Sequence, residues 1–139
     1  MRVEVFNCLP EEAGEIRRKV FIEEQGFAEE FDEIDHVAKH LVIYDANEMA
    51  VGTCRVFWSD AVQSYVLGRL AVLKEWRGMY LGAALVKEAC SYIKEKGGAE
   101  IRLHAQCRIT GFYEALGFEA FGEIEDDQGC PHIWMKRRV

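Results

Sequence analysis

The chain has no surplus of basic residues: 17 lysines and arginines stand against 24 aspartates and glutamates, a formal net charge of −7. A nucleic-acid binder carries a basic surplus or a basic stripe, so no nucleic-acid partner is expected. There is no C-x-x-C pair either. The five cysteines, at positions 8, 54, 90, 107 and 130, are odd in number and scattered, which suits neither a disulfide scaffold nor a Cys-rich zinc module. Cys54 and Cys90 sit in apolar patterns and read as small buried hydrophobes. Uncharged stretches reach only about nine residues, against the roughly 20 of a membrane span. The first twelve residues hold no long apolar segment of the secretory kind. A cytoplasmic protein with no membrane partner is the expectation. With two prolines, Pro10 and Pro131, no proline-rich linker fits.

What is present is ordinary globular material: 139 residues, half hydrophobic and 29% charged. That length and apolar content predict a single domain over residues 1–139 with its own core. Residues 2–6 alternate as a strand does. Pro10 opens a helix, Glu11 and Glu12 suit its positive end, and Ala13, Ile16 and Val20 recur at helical spacing up to a stop at Gly26. From Glu23 to Asp35 there are seven carboxylates and no lysine or arginine. That run reads either as a rim that draws in a cationic ligand or as a solvated flexible loop. Two strands, His40–Asp45 and Val51–Ser59, make a hairpin across Ala46-Asn47-Glu48. A third, Tyr65–Leu73, is almost continuously apolar and predicts a strand covered on both faces, with a bulge or kink at Gly68 and Arg69.

A glycine-rich loop, Glu75–Gly82, leads into a helix marked by Leu81, Leu85, Ala89 and Ile93 and ended by Gly97 and Gly98. Ile101–Gln106 is the next strand, so this strand–helix–strand unit predicts parallel pairing. A short helix at Ile109–Leu116 stops at Gly117. Two final strands, Phe118–Glu125 and His132–Arg137, flank the turn Asp126-Asp127-Gln128-Gly129. The order predicts an α+β fold, an α/β sandwich with a mixed central sheet flanked by helices.

Gly68–Leu85 carries the most chemistry. A loop feeding a helix start presents unpaired backbone N–H groups in one direction with the helix dipole behind them, an arrangement that binds phosphate. Gly78 and Gly82 allow close approach of the main chain, and Arg77 adds a cation. No Gly-Lys-Ser/Thr follows, and no Gly-x-Gly-x-x-Gly is present, so neither a Walker loop nor a dinucleotide fingerprint fits.

Arg77-Gly-Met-Tyr-Leu-Gly82 resembles the Arg/Gln-x-x-Gly-x-Gly/Ala pyrophosphate loop of the GNAT superfamily of acyl-CoA N-acetyltransferases. Leu103-His-Ala-Gln106 and Phe112-Tyr-Glu-Ala-Leu-Gly-Phe118 resemble that superfamily's later motifs. Val20-Phe-Ile-Glu-Glu-Gln25, Gly52-Thr-Cys-Arg55 and Pro131-His-Ile-Trp-Met135 are similar to segments of its small single-domain bacterial members. The resemblance implies a sheet splayed between its fourth and fifth strands, with the pantetheine arm of acetyl-CoA in the gap. It implies main-chain pairing of that arm with Leu70, Ala71 and Val72. The pyrophosphate would be held by Arg77, Gly78, Met79, Tyr80, Leu81, Gly82 and Ala83, and Gln106 and Phe112 would complete the cofactor-binding set. Phe112 faces another side of its helix from Tyr113 and also reads as core. Tyr80 stands where the family has a central glycine, at a cost on the order of 1–2 kcal/mol if φ is positive there.

By the same resemblance Tyr113 protonates the leaving thiolate, and the Val72 N–H serves the oxyanion. Glu24, near the acceptor side, is the candidate general base, with a solvated helix-end carboxylate as the alternative. His104 shares a strand face with Arg102 and Gln106 and reads equally as a satisfied buried histidine. Cys107 is the one thiol placed near the gap. His36 and His40, or Cys130 and His132, lack the further ligands of a zinc site, so no metal is expected. The expected activity is acetyl transfer from acetyl-CoA to a small-molecule or peptide amine. The alternative is a non-catalytic acyl-CoA-binding or regulatory module of the same fold. A homodimer through the exposed final strands is compatible with the resemblance.

Overall fold

The computed structural model describes residues 1–28 and 30–139. Its seven strands are β1 (Arg2–Phe6), β2 (Lys39–Tyr44), β3 (Ala50–Ser59), β4 (Ser64–Val72), β5 (Glu100–Gln106), β6 (Glu119–Asp127) and β7 (Cys130–Arg138). They form one mixed sheet in the order β1-β2-β3-β4-β5-β7-β6. The helices are α1 (Glu11–Arg17), α2 (Leu81–Glu95) and α3 (Thr110–Glu114). The expected α+β class holds. Among the described residues, no helix is long and apolar enough to cross a membrane.

The chain divides into two compact units, residues 1–57 with 67–89 and residues 58–66 with 90–139. In the first, β1 pairs antiparallel with β2, and β2 with β3. α1 runs directly into a π-helical segment, Arg18–Glu24, so the helix expected from Pro10 changes its winding midway. Ile16 and Val20 from this run bury against Ala71 of β4, with Phe21 and Leu73 beside them. That packing seats the end of the π-helical segment at the C-terminal end of β4.

β4 departs from the expectation of full burial. Val66, Leu67 and Ala71 are buried, but Gly68, Arg69 and Leu70 are only half-buried. Arg69 takes φ +52°, the left-handed region that ordinary residues avoid. The predicted kink is therefore real. It turns the Arg69 side chain toward the acidic segment described below.

In the second unit, β4 and β5 run parallel with Tyr65 opposite Ile101 and Val66 opposite Arg102. β5 then pairs antiparallel with β7, and β7 with β6. The last turn is tighter than expected. Asp126 and Asp127 belong to β6, and only Gln128 and Gly129 make the connection, both at positive φ (52° and 79°). That is the two-residue hairpin whose twist matches its strands. The Asp126 carboxylate accepts the Gly129 N–H at 3.0 Å.

Candidate active site

The loop before α2 has the backbone that anion binding requires. Lys74–Trp76 form a single 3-10 turn, Gly78 takes φ +82° and Tyr80 takes φ +62°. The glycine adopts its angle at no steric cost. The tyrosine, standing where the resemblance puts a glycine, is strained there. Its ring is 85% exposed, so packing does not hold it there. α2 begins at Leu81, which puts Gly82 in the first helical turn instead of the loop. Ala84 N–H bonds back to the Tyr80 carbonyl. The N–H groups of Leu81, Gly82 and Ala83 thus stand ahead of the helix's own ladder, at the positive end of a 15-residue dipole. Tyr80→Gly is expected to move folding stability by less than about 1 kcal/mol, because relieved strain and added chain entropy offset. Tyr80→Val is expected to lose about 1–2 kcal/mol, a β-branched residue being least tolerant of positive φ. Thermal melts of the two variants check this.

Arg77 is brought to this loop, but its guanidinium is already engaged. Its two terminal nitrogens donate to the two carboxylate oxygens of Glu24 at 2.5 and 2.7 Å, and its Nε donates to the Val72 carbonyl at 3.0 Å. The pairing with Glu24 raises the Arg77 pKa still further. Two residues assigned to different tasks by the sequence, cofactor binding and proton abstraction, therefore form one fork-to-fork contact. It ties the π-helical segment to the end of β4.

Part of the acidic run is neither a rim nor a solvated loop. Glu30 and Asp35 are buried, with 3% and 6% exposure. Arg17 of α1, 1% exposed, donates to Glu30 Oε2 at 2.7 Å and to both Asp35 oxygens at 2.8 and 3.0 Å. Arg55 of β3 donates to Asp32 at 2.6 and 3.1 Å and to Asp35 at 2.9 Å. Arg69 donates to the Glu30 carbonyl at 2.9 Å and reaches Asp32 at 3.3 Å. Three arginines thus neutralise three of the run's carboxylates. Glu23 and Glu33 remain exposed, and Glu29 lies outside the described residues. Burial and these partners pull the carboxyls apart. Asp35 is held well below the ordinary carboxylate range by Arg17, the Asp32 amide and Arg55, although burial works the other way. Burial dominates at Glu30 and pushes it up. His40, buried behind them, has Nε2 3.0 Å from the Asp35 carbonyl and is pushed down by burial.

In the second unit Tyr113 is buried on α3, its ring edge-on to Phe112 at 5.0 Å and to Phe118 at 5.8 Å. Phe112 is 37% exposed, which corrects its reading as core. Gln106 closes β5 and is half-buried, and Cys107 begins the 3-10 turn that leads into α3. No group of three or more metal-ligating side chains occurs among the described residues.

The three arginines were the residues sequence reasoning missed. Their signal was an arginine inside each of two apolar strands, Arg55 and Arg69, beside an acidic run with no cations of its own.

Residues 8–139 match the family described as the acetyltransferase (GNAT) domain. The chain is 32% identical over 125 residues to YjcF of Bacillus subtilis strain 168, described as an uncharacterized N-acetyltransferase, covering 88% of this chain and 87% of the relative. Its fold is that of ElaA from Escherichia coli, with a TM-score of 0.85 at 23% identity over 99% of both chains. It is also that of an aminoglycoside 6'-N-acetyltransferase solved with coenzyme A, with a TM-score of 0.76 at 16% identity over 99% of this chain and 97% of the other. The mixed sheet and the loop at the start of α2 are accordingly those of a known lineage, and this chain is an enzyme of the GNAT acetyltransferase family.

Proposed function

We propose that the enzyme transfers an acetyl group from acetyl-CoA to a primary amine, small molecule or peptide, by direct attack of the amine on the thioester. The observation that carries this reading is the start of α2. Three N–H groups ahead of the helical ladder, a left-handed glycine and a second left-handed residue make a main-chain cradle suited to a diphosphate. Acetyl-CoA supplies an activated acyl carbon on a good leaving group, since a thiol has a pKa near about 8.5. In this reading Arg77 to Ala83 hold the pyrophosphate, and the main-chain groups of Leu70, Ala71 and Val72 align the pantetheine arm. Gln106 and Phe112 add side-chain contacts, and the Val72 N–H donates to the oxyanion. Tyr113 gives its proton to the departing thiolate.

The amine is the harder half. With a pKa near about 10.4 it is roughly three units from its neutral form at pH 7, worth about 4–5 kcal/mol. A base is needed, and Glu24 is held differently from what that role asks: both its oxygens accept from Arg77. Glu24→Gln separates the two tasks. Loss of the ion pair loosens the loop, so the KM for acetyl-CoA is expected to change severalfold while kcat stays within about twofold. A kcat loss that deepens below neutral pH would instead restore Glu24 as the base.

The deciding experiment is a panel of primary amines with acetyl-CoA and detection of free thiol. An amine that accelerates thiol release and gains the acetyl group supports the reading. Tight binding of acetyl-CoA with no responding amine would favour the non-catalytic alternative.

A further inference from the structure

β5, β7 and β6 lay their side chains in rows. His104 lies opposite Trp134, which lies opposite Phe121; Gln106 lies opposite His132, which lies opposite Glu125. Cross-strand and diagonal neighbours on one face of an antiparallel sheet touch, and here they do. The His104 ring is tilted against the His132 ring at 4.9 Å and the Trp134 ring at 5.0 Å. Between Phe121 and Glu125 the register with β7 shifts at a bulge containing Gly122, φ +76°. Such bulges re-aim side chains and recur beside active sites. Past this one, Glu125 Oε1 comes within 3.2 Å of His104 Nε2. Nε2 is buried, and among the described residues Glu125 is the polar group beside it. His132 is differently placed. Its Nδ1 donates to the Cys130 carbonyl at 2.8 Å.

We propose that His104 is the general base that takes the proton from the acceptor ammonium, with Glu125 as the positioning residue that sets its proton affinity. This rests on the acetyl-transfer reading above. His104 lies two residues before Gln106 on the same strand face, and β5 continues through Cys107–Ile109 into the helix that carries Tyr113. Its side chain is 26% exposed although Nε2 is buried against Glu125, so in this proposal the proton is taken at Nδ1. In the step, the ammonium N–H bond breaks and its proton goes to the imidazole. The freed nitrogen pair forms the C–N bond while the C–S bond breaks, and the thiolate takes the Tyr113 proton, which solvent then restores. The amide nitrogen then sheds its second proton to solvent, and the imidazolium releases its own past Glu125.

Proton balance fits that task. Burial and the neighbouring His132 push His104 below the usual histidine value of 6.5, while Glu125 and Asp127 push it up. The other charged groups on the same face are Arg102, held by Glu100 at 2.9 Å, Lys136, over the Phe121 ring at 5.0 Å and opposite Glu119, and Arg138 opposite Glu100. The imidazole is therefore neutral, and ready to accept a proton, at pH 7.

The test uses the full chain, acetyl-CoA and the amine found by the panel. His104→Gln is expected to lower kcat/KM for an alkylamine on the order of 10²-fold at pH 7, with acetyl-CoA affinity within about twofold of the parent. The loss should shrink as pH approaches the amine's own pKa. It should nearly vanish with an alkoxyamine, which is already neutral at pH 7. Glu125→Gln, at an exposed position that keeps the fold, is expected to move the acid limb of the kcat/KM profile to lower pH, because it removes a charge that favours the imidazolium. An equal loss with alkylamine and alkoxyamine, or an acid limb unmoved in Glu125→Gln, overturns the assignment. Thiol release that no amine accelerates in the parent enzyme overturns the acetyl-transfer reading itself.

Discussion

Arg17→Met is expected to cost about 3–5 kcal/mol of folding stability, the loss typical when one partner of a buried ion pair is removed. Methionine keeps the apolar contact that Arg17 makes over the Phe31 ring at 4.9 Å, so the loss is electrostatic and not a cavity. What remains is Glu30 and Asp35, both buried and both short of a cation. For a chain of this size the change corresponds to a melting temperature lower by roughly 10–20 °C. The effect also has a pH signature. Arg17 lowers the Glu30 pKa, so its removal raises that pKa further above the ordinary 4.5. The native variant then binds a proton that the unfolded chain does not, and stability rises as pH falls through the folded pKa. The deficit relative to the parent should therefore narrow from neutral toward mildly acidic pH. Arg17→Met with Glu30→Gln removes one stranded charge and should recover part of the loss at pH 7. A deficit that is constant with pH, measured by denaturant titration, would mean that packing and not charge accounts for it.

The second large effect concerns Tyr113. Tyr113→Phe is expected to lower kcat on the order of 10–100-fold, with acetyl-CoA affinity within about twofold of the parent. The low end of general-acid effects applies because a thiolate is a good leaving group and needs less help than an alkoxide. The substitution keeps the ring between Phe112 and Phe118 and the backbone bonds that Leu116 and Phe118 make to the Tyr113 carbonyl. Any loss therefore reports the hydroxyl alone. Steady-state thiol release beside calorimetric binding of the cofactor measures both numbers. An unchanged kcat would leave Tyr113 as a packing residue.

Local pattern was a good guide wherever near neighbours in the chain decide structure. The spacing of Leu81, Leu85, Ala89 and Ile93 predicted α2, and all four are buried. The parallel pairing of β4 with β5 followed from the strand–helix–strand order. The strain at Tyr80, φ +62°, was foreshadowed only by the family resemblance, which places a glycine at that position. The site was less legible. Glu24 and Arg77 are 53 positions apart, and nothing local links a helix-end acid to a glycine loop. The row from His104 through Trp134 to Phe121 depends on β7 lying between β5 and β6, which no window of residues can specify.

Taken by itself, the sequence determined most of the elements, their order and the glycine loop that feeds the start of α2, because hydrophobic period, turn residues and helix ends act within a few residues of chain. Only the tertiary structure decided which charges meet. It turned part of an acidic run into buried counterions for Arg17, Arg55 and Arg69, and it placed Glu125 against His104. Coulombic pairing depends on distance through space and on burial, and both are set only when segments far apart in the chain pack together.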